Sequence, residues 1–89
     1  MFYEFDPEKK AVNFAKHRVA MADAQHFDWE SAIVREDNRK LYAEKRYEAL
    51  GLIENRLHVL VFCHRGSKLR VISLRKANSR EVSRYANEN

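Results

Sequence analysis

The stretch Arg70–Tyr85, RVISLRKANSREVSRY, decides how the rest of the chain is read. Its first part, Arg70 to Arg75, alternates and is β-branched in the middle, the pattern of a strand. Asn78 stands three residues before Glu81. An Asn in that place accepts a bond from a free N–H of a helix's first turn, and the Glu reaches back to it. A short helix then follows, with Val82, Tyr85 and Ala86 at helical spacing. One cationic strand therefore runs straight into a capped, Arg-rich helix. Arg70, Arg75, Lys76, Arg80 and Arg84 all fall in the segment, which is expected to seat an anionic ligand. Strand alternation places Arg75 with Ser73 and opposite Arg70, unless a bulge intervenes. Ile72 and Leu74 would then share the core side with Arg70, whose head group would snorkel at the rim.

Outward from this segment, Leu57 to Cys63, LHVLVFC, is the most apolar run and predicts the central strand. Arg65-Gly66-Ser67 predicts a turn, with Gly66 available for a positive φ. Lys45 to Ile53 predicts another strand, closed by Glu54-Asn55. With Leu69 to Arg75 these make an antiparallel meander, because the connections are too short for crossovers. Ser31 to Glu36 reads as a short strand, Asp37 to Lys40 as a polar turn, and Phe2 to Phe5 as an edge strand.

Two helices are expected in the N-terminal half. Asp6 caps the first and Pro7 suits its first position, where a missing N–H costs nothing. Ala11, Phe14 and Ala15 give it a face to bury, and it should end near His17-Arg18, where positive charge suits the helix dipole. Val19 to Trp29 reads as a second helix, with Ala24 and Phe27 on one face and Ala20 a poor cap. The last helix should pack across the sheet, with Asn87 to Asn89 fraying. The predicted fold is α+β, a single domain over residues 1–89: two N-terminal helices, a strongly bent antiparallel sheet and a C-terminal helix.

The 89 residues suffice for one modest core. No run approaches the roughly 18 apolar residues of a membrane span. The start, MFYEFDPEKK, has no apolar run behind a basic beginning, so no signal peptide is expected. Cys63 is alone and lies in an apolar run, so a buried small hydrophobe and a reducing cytoplasm are expected rather than a disulfide or a nucleophile. The net charge of +4 favours a polyanionic partner, either nucleic acid or an acidic protein. Two glycines and one proline leave no flexible linker.

Several quoted pieces recur together in one family. Asp6-Pro7, Asn13 with Lys16-His17, and Ala24 with Phe27-Asp28 come first. Glu44-x-Arg46-Tyr47-x-Ala49-x-Gly51 and the apolar strand ending at Phe62 follow. Arg70-x-Ile72-Ser73-x-Arg75-x-Ala77, with Glu81 and Tyr85, completes the set. As an ordered set these resemble the BrnT toxins of type II toxin–antitoxin systems, over nearly the whole chain. The resemblance implies a RelE-like fold and a ribonuclease that arrests growth by cutting RNA. It also implies a BrnA-type antitoxin of the ribbon-helix-helix class, an assembly around a toxin dimer, and operator DNA contacted only through the antitoxin. The chain departs from the family's usual pattern at Arg18, where Gly is usual, at Ala20, where a Ser cap is usual, and at Leu74, where a smaller residue is common.

Metal-free RNA cleavage needs a base for the ribose 2′-OH, a cation for the charge that builds on the phosphorane, and an acid for the leaving 5′ oxygen. Arg75 is the first choice for the cation, with Lys76 beside it, since a planar guanidinium holds two phosphate oxygens. His17 suits proton transfer, with satisfaction of helix-end carbonyls as its ordinary role. Glu48 is the rival base; it shares a strand face with Arg46, so a structural ion pair is its ordinary role. Tyr85 lies on an apolar helical stripe and is read mainly as core. His58 and His64 share a strand face, but zinc needs more ligands, and no metal or cofactor is expected. Phe2, Tyr3, Phe5, Trp29 and Tyr42 could stack on bases, although so small a domain needs most of them in its core. The competing reading is a non-catalytic basic nucleic-acid-binding or antitoxin-docking module. No helix-turn-helix or ribbon-helix-helix pattern supports DNA reading by this chain alone.

Overall fold

The computed structural model describes residues 2–88. In chain order the elements are β1 (Phe2–Phe5), α1 (Pro7–His17), a 3-10 segment (Met21–His26), β2 (Ile33–Glu36), β3 (Tyr47–Ile53), β4 (Arg56–Arg65), β5 (Lys68–Lys76) and α2 (Ser79–Glu88). They build one five-stranded sheet in the order β1-β5-β4-β3-β2. Strands β3 to β5 form the antiparallel meander that the short turns dictate, with β4 central, and β2 adds antiparallel to β3 after the longer 37–46 connection. Gly66 takes φ +60° in the β4–β5 turn. β1 lies on the edge as expected but runs parallel to β5, so the sheet is mixed. A strand without a hairpin neighbour carries no local signal of its direction.

The second N-terminal helix is a 3-10 segment of six residues rather than an α-helix. Ala20 offers no side-chain cap, and the first turn closes on tighter bonds instead. Its face is as predicted: Ala24 and Phe27 are buried. The Phe27 ring lies on Gly51 of β3, where a Cβ would come within 2.4 Å of the ring. Trp29 and Phe62 continue this aromatic packing edge to face.

The expected apolar face of α1 is overturned. Ala11, Phe14 and Ala15 are all exposed, and the buried residue of the helix is Asn13. Its amide donates to Val19 O at 3.1 Å and to Leu74 O at 2.8 Å, and its Oδ1 accepts the Leu74 N–H at 3.0 Å. β1 covers β5 only from Lys68 to Val71. Beyond Val71 the edge of β5 would present bare backbone groups, and Asn13 pairs with it as a neighbouring peptide would. α1 is therefore fastened to the sheet by a polar clamp.

β5 carries a bulge. Val61 pairs with Ser73 and Phe62 with Val71, which leaves Ile72 unopposed. The extra residue resets the alternation. Leu69, Val71 and Leu74 all join the larger core cluster on one face, while Ile72 packs with Leu50, Leu57, Val59 and Val61 on the other. Arg70 and Arg75 consequently share the second face, opposite Leu74. Arg70 is bonded to Glu4 and lies 3.7 Å from Asp6, so it ties β1 to β5 instead of snorkelling from the core.

α2 begins at the predicted cap: Asn78 Oδ1 accepts the Glu81 N–H and Glu81 Oε1 accepts the Asn78 N–H, each at 2.9 Å. No residue of α2 is buried. Tyr85 packs against the second cluster and donates its hydroxyl to Ser31 O at 3.1 Å. Ion pairs supply the rest of the attachment. The helix runs through Asn87 to Glu88, so the predicted fraying does not begin at Asn87; Asn89 lies outside the described residues.

Candidate active site

The second sheet face, the C-terminal turn of α1 and the start of α2 meet around the end of β5. α1 ends at His17 because Arg18 turns left-handed, φ 58°, and its N–H closes on Phe14 O. That stop leaves Lys16 and His17 beside Ser73. Together with Lys9 they line a cleft of about 310 Å³ between α1 and β5, with Asn13 in its wall.

His17 titrates below its ordinary value of 6.5, first because it is partly withdrawn from water, then because Lys16 and Arg75 both repel a proton. The imidazole is thus neutral at physiological pH and can accept a proton. Arg75 does not itself line the cleft, but its charge reaches the His17 imidazole there. Arg75 itself is gripped by Glu81, Nη1 to Oε1 at 2.8 Å and Nη2 to Oε2 at 2.7 Å. This fork holds the Glu81 carboxyl at about 2, with the Arg75 bond as the main cause.

Residues 5–81 match the family model for "Ribonuclease toxin, BrnT, of type II toxin-antitoxin system". The chain belongs to the BrnT family. Its members are ribonuclease toxins, so RNA is the substrate and an antitoxin the partner. No curated protein matches the chain. Among the described residues no helix is long and apolar enough to cross a membrane.

In this BrnT-family chain the predicted site residues separate into three groups. His17 lines the α1–β5 cleft, and Arg75 stands beside it on the same sheet face as Ser73. Glu48 lies on the same sheet face: the rung Glu48–Val61–Ser73 neighbours the rung Leu50–Val59–Arg75. Glu48 is buried and ion-paired, but with Arg35 at 3.1 Å and Arg84 at 3.2 Å, not with Arg46. Those partners come from β2 and α2, which strand parity within β3 could not reveal. Arg46 sits instead over the Tyr42 ring, 4.3 Å from its centroid, in an adjoining cleft. Lys76 is the outlier. It follows Arg75 directly in a strand, so it points to the other face, where its register partner is His58.

Lys16 and Lys9 were not among the expected site residues, and Glu81 was expected only as part of the helix cap. The adjacency of Lys16 to His17 was the available signal. His58 Nδ1 lies 2.8 Å from Arg56 O, and His64 packs against Tyr47 and Phe62. Among the described residues no group of three or more His, Cys, Asp or Glu is placed to hold a metal ion. Cys63 is buried. Tyr3, Phe5 and Trp29 pack on the core, and Trp29 Nε1 donates to the Tyr3 hydroxyl at 2.9 Å. Phe2 is exposed.

Proposed function

We propose that the chain is an endoribonuclease that cuts RNA through the ribose 2′-OH without a metal ion, and that the α1–β5 cleft is its active site. The observation that carries this is a neutral His17 lining the cleft with Lys16 and Ser73, with the Arg75 guanidinium on the Ser73 side of the sheet and near enough to act on the imidazole. A phosphodiester seated there lies against Lys16 and Arg75. His17 takes the proton from the 2′-OH, and the 2′ oxygen attacks the phosphorus. Charge accumulates on the phosphorane oxygens beside the two cations, the interaction that lowers the barrier most. The bond to the 5′ oxygen then breaks, and that oxygen takes a proton from solvent at the open side of the cleft. The products are a 2′,3′-cyclic phosphate and a 5′-hydroxyl.

Glu81 contributes by holding the Arg75 fork in place before substrate arrives, and Glu48 by holding Arg84 on the same face. Lys76, on the other side of the sheet, takes no part in this chemistry. The antitoxin of such a chain would be of the BrnA type, a ribbon-helix-helix protein. It would neutralise the toxin in the cytoplasm within an assembly around a toxin dimer and would itself supply the DNA contacts. A basic toxin face suits an acidic surface on that partner.

The test is digestion of a defined RNA by the purified protein in excess chelator, with product ends mapped. A cyclic phosphate end is expected, and DNA of the same sequence stays intact because it lacks the nucleophile. Arg75→Ala should remove cleavage while the circular dichroism spectrum stays native. Cleavage only on adding metal, or a folded Arg75→Ala protein that cuts at the wild-type rate, would overturn the proposal. Retardation of RNA on a gel without shortening would favour a non-catalytic binder.

A further inference from the structure

A second cleft, of about 170 Å³, adjoins the first on the same sheet face; Lys9, Arg46, Cys63, Arg65 and Arg70 line it, and Tyr42 and Glu44 close it. Its charges are four cations against one carboxylate. Arg65 is paired with Glu44 at 2.9 Å, and Arg70 is held by Glu4 and Asp6. Lys9 and Arg46 make no ion pair among the described residues. The Arg46 guanidinium carbon lies over the Tyr42 ring, 4.3 Å from its centroid. Electrostatic attraction to a ring face occupies no hydrogen-bond acceptor, so a guanidinium held this way still has donors to offer. Lys9 and Ile72 line both clefts, so the two lie side by side. The bulge is the cause: it turns Ile72 and Arg70 to the same face as Ser73 and Arg75.

We propose that this second cleft is a subsite for a neighbouring backbone phosphate of single-stranded RNA, bound by the Arg46 guanidinium together with Lys9 and Arg65. It rests on the reading of the first cleft as the site of the scissile bond, and it turns the two clefts into a track along the strand. The Arg46–Tyr42 contact positions the guanidinium before RNA arrives, so little side-chain entropy is lost on binding. Contacts of this kind read the backbone and not the bases, so the track favours longer substrates without choosing a sequence.

The experiment measures equilibrium binding of the full chain to two uncleavable probes, a 2′-O-methyl hexanucleotide and a 2′-O-methyl dinucleotide, over a range of salt. Arg46→Gln should weaken hexanucleotide binding about tenfold and reduce the slope of log K against log salt by about 0.7, the value for one lost single-strand phosphate contact. The dinucleotide, with one phosphate, should change far less. Arg56→Gln, an equal loss of charge at the opposite end of β4, should stay within about twofold of wild type, since one distant exposed charge is largely screened. Arg65→Gln, at a residue that lines the second cleft and not the first, repeats the test if Arg46→Gln does not fold. Unchanged hexanucleotide affinity in either folded variant overturns the subsite. So does an equal loss in Arg56→Gln, or an equal loss on both probes. Arg46-dependent binding by a protein that never cuts RNA keeps the subsite and refutes the ribonuclease mechanism.

Discussion

Glu81 grips both terminal nitrogens of Arg75, at 2.8 and 2.7 Å, while the same carboxylate accepts the Asn78 N–H that opens α2. Helix cap and strand arginine are therefore one unit, and α2, with no buried residue, depends on it. Glu81→Gln keeps an acceptor for the cap but loses the charged fork. It should cost about 1–2 kcal/mol in urea unfolding, in line with a charge-assisted bond, and RNA cleavage should fall as Arg75 loses its fixed position. Glu81→Ala, which loses the acceptor as well, should cost about 1 kcal/mol more.

The acid stability of the protein should rest on two carboxylates. Glu81 is held at about 2 against an ordinary 4.5 by Arg75, and Asp37 at about 2 against 3.8 by Arg39. Both folded values lie below the unfolded ones, so the unfolded chain takes up protons that the folded chain refuses. The stabilisation is complete above about pH 4.5 and is lost as pH falls from there towards 2. Urea midpoints followed from pH 6 to pH 2 should drop steeply in the wild type, and Glu81→Gln/Asp37→Asn should show a flatter profile.

His17, as the proposed base, should set the acid limb of the rate. Burial, Lys16 and Arg75 all press its titration downward, so cleavage should persist as pH falls through 6.5 and fail only below that value. Lys16→Gln removes one of the repelling charges and should move the limb upward. His17→Gln should slow cleavage by about 10²- to 10⁴-fold, the usual worth of a general base. Initial rates against pH on a short RNA measure all three.

Asn13→Ala should be among the most destabilising single changes in α1. It strips partners from the Leu74 N–H and C=O and from the Val19 carbonyl in a buried setting. A loss of about 2–4 kcal/mol is expected from the groups left unsatisfied. Amide exchange should show protection falling first at Leu74.

Arg18→Gly should stabilise the chain. Arg18 is left-handed, φ 58°, at the C-terminal end of α1, a conformation that costs a side chain roughly 1 kcal/mol and glycine almost nothing. The Arg18 guanidinium lies 5.9 Å from the Phe14 ring centroid, and losing that contact offsets part of the gain. The melting temperature should rise by a few degrees or less.

What was legible in the sequence was local. Asp6-Pro7 and the Asn78–Glu81 box predict helix starts because their bonds span only a few residues, and both are present. Apolar runs and the Gly66 turn predict a meander because hairpin geometry is set by neighbours in the chain. The ordered motifs carried the BrnT family, and with it RNA as substrate, without any coordinates.

Tertiary structure decided where those pieces face. The bulge at Ile72 moved Arg70 and Ile72 to the side of Ser73 and Arg75, away from Leu74, because alternation holds only while pairing stays in step. The burial of Asn13 follows from a bare stretch of the β5 edge 61 residues away, and the partners of Glu48 come from β2 and α2. Residue type and short spacing determine how a segment folds. Which side chains share a cleft depends on contacts between distant segments, and no local pattern encodes those.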